Sequence, residues 1–453
     1  MPEKEEAFKE TIALTSPGGK KTTTIVENGE EYDPHLHRQV EHPTTNFETL
    51  VHLLKGCLGT GILAMPDAFK NSGLVVGTVG TVLIGFVCTY CLHVLIRSQY
   101  ILCKKLRVPL LTYPESMKIA LEQGPNFLKF LIPIAAPLVD IFITLYQLGI
   151  CCVYVVFVAE SVKEIADFYW TELDVRVWMM IILIPLIAIN LIRNLKLLAP
   201  FSSLANVITF IGLAIILYYI FWPEFPSPST VEAFGKVRNY ALYFGTVLFA
   251  LEAVGVVVAL ENNMKNPKAF GGYFGVLNQG MGLVTFMYMF VGFVGYVKYG
   301  DKARGSVSLN IPNNEILAQG VVLAFAIAIY ISYALQCYVP VQIIWNTWLK
   351  KHIDESKQLM WEYILRILVV IATLLLAAAI PRLGLFISLF GALCLSVLGL
   401  IFPAVIELCT LWPDQLGKYN WIIWKDVLLV IFGFVGLICG TGITLIDIVN
   451  SFK

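Results

Sequence analysis

The chain is 453 residues long, 57% hydrophobic and only 14% charged, and its formal net charge at pH 7 is zero. So little charge cannot cover the surface of a soluble protein of this size, and the neutral balance leaves no basic footprint for nucleic acid. Many apolar runs reach the roughly 20 residues that a bilayer crossing takes, so the class is an all-α integral membrane protein whose environment is the lipid bilayer.

Residues 1–46 are polar, mix Glu with Lys, and lack the short apolar stretch of a signal peptide, so they read as a disordered cytosolic tail. Eleven apolar runs follow, near 48–69, 74–96, 131–158, 178–192, 198–222, 240–260, 274–297, 316–340, 361–380, 384–409 and 424–447. The fourth is short, and only "PRL" parts the ninth from the tenth. The connection 97–130 is long enough to carry an amphipathic surface segment. With the N-terminus cytosolic, roughly 21 Lys and Arg fall inside and roughly 10 outside, which sets the orientation. The odd number of crossings then places the C-terminus outside the cell or in a lumen. The cysteines lie almost entirely in apolar runs, so no structural disulfide is expected.

The first run holds "HLLKGCLGTGILAMPDAF", residues 52–69, with Gly56, Gly59, Thr60 and Gly61 near its middle and Pro66 little more than a turn later. Glycine weakens a helix interior by about 1 kcal/mol against alanine. One reading of such spacing is close helix packing. The other is a mid-membrane break, whose free backbone groups must line a cavity or be buried in protein. Gly-Thr-Gly followed by proline favours the break. The sixth run, "YALYFGTVLFALEAVGVVVAL", places Gly245 and Gly255 around Glu252. A carboxylate at this depth faces the bundle interior, either protonated and bonded to a neighbouring helix or beside a second break.

Spans one and six are an odd number of crossings apart and therefore run in opposite directions. That pattern predicts a transporter plan: inverted repeats over about 47–222 and 240–409, each opening with a discontinuous helix, plus an extra helix at about 424–447, all within a membrane domain 47–453. A half-helix N-terminus suits a carboxylate, and the carbonyls of the opposite half-helix suit an ammonium. An amino acid carries both groups on one carbon.

At this point the residues carry a resemblance. "HLLKGCLGTGILAMPDAFKNSGL" and "FALEAVGVVVALENNMKNP" resemble the first-span and sixth-span signatures of the proton-coupled amino acid transporters, within the amino acid/auxin permease superfamily. The resemblance runs from about Phe47 to the end. It implies eleven spans and symport of small neutral amino acids (glycine, alanine, proline) with protons towards the cytosol. It implies substrate contacts at Gly56, Gly59, Thr60, Gly61, Phe249, Ala250 and Glu252, with His52 coupling the proton. It also implies a plasma membrane or a lysosomal or endosomal one, and growth-signalling partners reached through the N-terminal tail. Relatives often have Asn where Cys57 stands, and some join two exterior loops by a disulfide that the cysteine-free loops here cannot form.

Imidazole loads and releases protons in the physiological range. His52 shares a helix face with the glycines; the plainer reading is an interfacial histidine bonded to backbone. Lys55 is expected to snorkel towards the cytosol. Asp140, Glu407 and Asp447 sit nearer span ends, and Tyr338, Trp345 and Trp348 read as an interface belt. No His, Asp or Glu cluster has metal-ligand spacing, no nucleophile motif is present, and the glycines of "GTVGTVLIG" lack a strand-turn-helix unit, so neither metal, cofactor nor enzyme activity is expected. Two rivals remain open: sodium-coupled amino acid transport on the same fold, and an amino acid receptor with little flux.

Overall fold

A computed structural model describes residues 32–452 apart from Gln39, Glu41, His42, Thr171, Asn194 and Glu252, with backbone alone for 195–202. The first two helices, α1 (Asn46–Cys57) and α2 (Thr60–Ser72), are the two halves of the first run, inclined by 55°. Then come α3 (Leu74–Leu106), α4 (Tyr113–Gln123), α5 (Ile132–Tyr169), α6 (Val175–Asn190) and α7 (Leu195–Phe221). The second half opens with α8 (Tyr240–Ala250) and α9 (Val254–Asn262), followed by α10 (Val276–Tyr299), α11 (Ile316–Ile343) and α12 (Gln358–Ala379). Helices α13 (Leu383–Phe390) and α14 (Phe402–Leu411) are joined through a π-helical stretch, Gly391–Ile401, and α15 (Trp421–Val435) and α16 (Thr441–Asn450) through another, Gly436–Gly440. Among the described residues nine helical segments are long and apolar enough to cross a membrane, and the bent pair α1–α2 makes a tenth. The short fourth run is α6, sixteen residues long, which at 1.5 Å per residue covers about 24 Å.

The local chemistry explains the boundaries. Thr45 caps α1 in a reciprocal box with Glu48, whose carboxylate accepts from the Thr45 amide at 2.8 Å. The connection 97–130 contains α4, begun by an equivalent box of Thr112 and Glu115. It is docked rather than loose: the Tyr113 hydroxyl donates to the Leu398 carbonyl at 2.6 Å. Helix α3 runs ten residues beyond the apolar stretch read from sequence, and α5 eleven.

The two halves interlock. α5 lies along α11, the third and eighth crossings, while α2 packs on α8 and α10. Small residues let them approach: a side chain at Gly77 or Gly292 would strike the Phe69 ring, and one at Gly295 would strike Pro66. The proline-bearing half-helix is therefore enclosed by glycine-bearing neighbours.

Two expectations need correcting. The described residues between Tyr32 and Thr45, read as part of a disordered tail, are bonded to the bundle. Thr44 pairs its backbone with Asn263 and Lys265 at 2.9 Å each, Arg38 forms a 2.9 Å ion pair with Glu261, and Lys268 one of 2.9 Å with Asp33. A polar segment has no core of its own, but here ion pairs and backbone bonds replace it. Gly245, on one side of the interruption, lies within α8, where a side chain would strike the Ser388 backbone. The interface belt also dissolves in part: Trp345 is buried, and Tyr338 lies under the Arg366 guanidinium at 5.7 Å.

Candidate functional site

Helix α1 ends because Leu58 turns extended (φ −76°, ψ 96°), and no side chain caps α2 at Gly59. The break is held from behind by Tyr288 of α10, fully buried, whose hydroxyl donates to the Cys57 carbonyl at 2.5 Å. One tyrosine thus serves a carbonyl at the end of the first half-helix.

The three glycines have different duties. A side chain at Gly56 would meet Val256 of α9 at 2.8 Å, and one at Gly61 would meet the Ala250 Cα of α8 at 2.7 Å. These two are close-packing positions. Gly59 is different: its nearest neighbour would be the Tyr154 hydroxyl at 3.7 Å, ordinary contact across a cavity. Both readings of the motif are therefore right, at different residues.

That cavity has a volume of about 440 Å³, within the range of small-ligand sites. His52, Lys55, Gly56, Leu58 and Gly59 form one wall, and Val256 of α9 joins them. Tyr154 of α5 faces the break, with its hydroxyl within hydrogen-bonding reach of Gln336 on α11. Ser332, Asn206 and Thr209 add polar groups, while Phe325, Ile329 and Leu335 supply apolar surface. No acid lines it among the described residues. Its electrostatics are those of two basic side chains and an uncapped half-helix N-terminus, a setting for a carboxylate. An ammonium in it would rest on carbonyl, amide and phenol oxygens.

Of the residues singled out from sequence, His52, Gly56 and Gly59 line this cavity. Thr60, Gly61 and Ala250 are buried in the α2–α8 contact behind it, and Phe249 packs edge-on against Tyr146 at 6.0 Å between ring centres. Glu252 lies outside the described residues. Of the described residues between α8 and α9, Leu251 and Ala253 line an apolar hollow of about 20 Å³ together with Leu395. Lys55, expected to reach for the bilayer edge, stands in the cavity wall. His52 is exposed there and has no hydrogen-bond partner among the described residues.

Sequence reasoning missed Tyr154, Tyr288 and Gln336. The signal was there in Gln336, an amide within an apolar run, and in Tyr288, a tyrosine in the middle of one. A second cavity of about 540 Å³ lies on the other side of the α2–α8 contact, lined by Asp67, Lys70, Glu160, Arg304 and Arg382.

A family model described as transmembrane amino acid transporter protein matches residues 42–446. The chain belongs to this family. The proton-coupled amino acid transporter-like protein pathetic of Drosophila melanogaster is 41% identical over 438 residues, covering 96% of this chain and 92% of that one. Amino acid transporter ANT1 of Arabidopsis thaliana is 25% identical over 421 residues, covering 89% and 93%. The solved structure of Mhp1, a nucleobase-cation-symport-1 family transporter closed around bromovinylhydantoin, superposes with a TM-score of 0.50 at 12% identity, over 94% of this chain and 95% of that one. At that identity the likeness concerns the fold. The family member described here is thus a multi-pass membrane protein with the inverted-repeat transporter architecture, its first and sixth helices discontinuous.

Proposed function

We propose that the protein is a proton-coupled symporter of small neutral amino acids, of the glycine, alanine and proline class, working towards the cytosol. The observation that carries this reading is the cavity against Gly59, where an uncapped helix start and basic groups meet a Tyr–Gln pair. The substrate carboxylate takes the α2 N-terminus, and its ammonium takes carbonyls and the Tyr154 and Gln336 oxygens. Apolar Phe325, Ile329 and Val256 then bound the room left for a side chain. Glu252, with Phe249 and Ala250 before it, is proposed to contribute from the sixth helix. His52 is proposed to carry the coupling proton, since it is the imidazole that the cavity exposes. In this reading the N-terminus is cytosolic, and the membrane is the plasma membrane or a lysosomal or endosomal one.

Reconstitution into proteoliposomes tests it. Uptake of radiolabelled glycine, alanine or proline should rise with an inward proton gradient, carry inward current, and survive replacement of sodium by choline. Loss of uptake in choline would assign the coupling to sodium. Saturable binding without flux on the same sample would assign the protein to amino acid sensing. If His52→Ala leaves the pH dependence of uptake unchanged, histidine is not the coupling group.

A further inference from the structure

The last helix carries a charge cluster that the cavity does not use. Lys425 and Asp426 open α15, and Glu407 faces them from α14. The Lys425 ammonium donates to the Glu407 carboxylate, donates to the Tyr90 hydroxyl of α3 at 2.9 Å, and lies 3.0 Å from Asp426 Oδ1. It also sits over the Tyr90 and Trp421 rings, at 5.0 and 5.6 Å. Glu407 and Asp426 are 4% and 1% exposed.

The arrangement is one positive charge short. Two buried carboxyls face a single ammonium, which bonds Glu407 and forms an ion pair with Asp426. Both Asp426 oxygens are left with no donor. Glu407 and Asp426 thus lie against the same ammonium. Two carboxylates so placed repel, and a buried uncompensated charge is neutralised rather than kept. One proton held by the pair would balance the cluster at one negative charge against Lys425. We propose that Glu407 and Asp426 share one proton at neutral pH, forming a proton-binding site on the final helix, apart from the substrate cavity.

The groups around it supply no competing charge. Tyr90 and the Cys91 thiol face it from α3, and the Cys409 thiol from α14. Lys105, further along α3, is engaged by the Thr410 carbonyl at 2.7 Å. Neither α4 nor Gly391–Ile401 contributes a charged group to it among the described residues. Release of the proton leaves two anions across the α14–α15 contact, so that contact weakens as pH rises. None of the three residues lines the cavity at Gly59, so the inference stands whatever that cavity binds.

Infrared spectroscopy of the full chain in lipid nanodiscs reads the proton directly. A protonated-carboxyl band should be present at neutral pH and disappear on alkaline titration. It should be lost in Asp426→Asn and equally in Glu407→Gln, because the remaining acid then ionises against Lys425. Wild-type protein carrying ¹³C-labelled aspartate and glutamate gives the same reading should a variant fail to fold, through a label-shifted band that titrates. Persistence of the full band in both variants, or no titrating labelled band in the wild type, overturns the proposal. A band abolished by sodium at constant pH would instead make this a cation site and overturn it too.

Discussion

Gly61→Ala places a methyl group where the two broken helices touch. Its Cβ would lie 2.7 Å from the Ala250 Cα and 3.2 Å from the Ala250 Cβ. Carbon atoms settle at about 3.5–4.0 Å, so α2 and α8 must part by about 0.8 Å. The obstacle is backbone, which cannot rotate aside as a side chain would. Overpacking of this kind costs about 1–3 kcal/mol. A shift near 1 Å in a positioned site can reduce turnover by about 10²-fold. The expected result is a lower melting midpoint together with uptake reduced about 10- to 100-fold at matched protein amounts. Gly59→Ala is the internal control, because its methyl would meet only the Tyr154 hydroxyl, at 3.7 Å. That variant should melt like the wild type while its methyl intrudes on the cavity, raising KM and sparing abundance. Paired proteoliposome uptake and thermal-shift measurements separate the two. If Gly61→Ala melts and transports normally, or if the two glycines respond alike, the division between packing glycine and cavity glycine is wrong.

Tyr288→Phe removes the hydroxyl that donates to the Cys57 carbonyl, a buried hydrogen bond worth about 0.5–1.5 kcal/mol; a fall in melting midpoint with reduced uptake is expected, and an unchanged midpoint contradicts it. Arg38→Ala leaves Glu261 buried with, among the described residues, the His35 ring at 3.2 Å as its remaining charged partner. Breaking a buried pair costs about 3–5 kcal/mol, and protease cleavage within 32–45 should accelerate; cleavage at the wild-type rate would show that the tail is not held by this pair. Burial pushes the Asp33 carboxyl up, but Lys268 and the His35 amide together hold it below its ordinary value. Its stabilising contribution is therefore complete above the unfolded value of about 3.9 and is lost as pH falls through the lower folded one. Tail protection against an acid-active protease should drop on acidification in the wild type, and this dependence should flatten in Asp33→Asn.

The sequence legibly marked the discontinuity because three glycines and a proline inside an apolar run are a local cost with a local signature. Inverted repeats followed from the parity of the two irregular spans. What glycine spacing could not separate was Gly59, which faces a cavity, from Gly56 and Gly61, which face Val256 and Ala250; that depends on what another helix presents. Tyr154 and Gln336 were missed for the same reason: they meet only because α5 lies along α11, with some 180 residues of chain between them. Glu407, judged ordinary from its place near a span end, is buried against a lysine eighteen residues later. The tail was misjudged because composition reports the absence of a core, whereas long-range ion pairs to Glu261 and Lys268 leave no periodic trace.

The contacts among the four half-helices sort them into two units. α1 and α9 are joined at both ends, by the Thr44 backbone pairing with Asn263 and Lys265 and by the seat of Gly56 on Val256. α2 and α8 are joined at Gly61 and Ala250. Along the chain the two units are connected through the extended Leu58 and through the non-helical link between α8 and α9. A path between the cavity at Gly59 and the charged cavity beyond α2 must therefore open between these units, or by displacing Tyr154, and not within either. Each side also has its own restraints. Beyond α2 the Lys70 ammonium donates to the Ala303 carbonyl at 2.6 Å, the Gly235 amide donates to the Ser72 carbonyl at 2.8 Å, and Arg304 pairs with Glu164. On the α1 side the Arg38–Glu261 pair is buried, with side chains 6% and 7% exposed, and backbone pairing reinforces it. Both units are thus tied to their surroundings by ion pairs and backbone bonds at their outer ends, so parting them has to release bonds on at least one side.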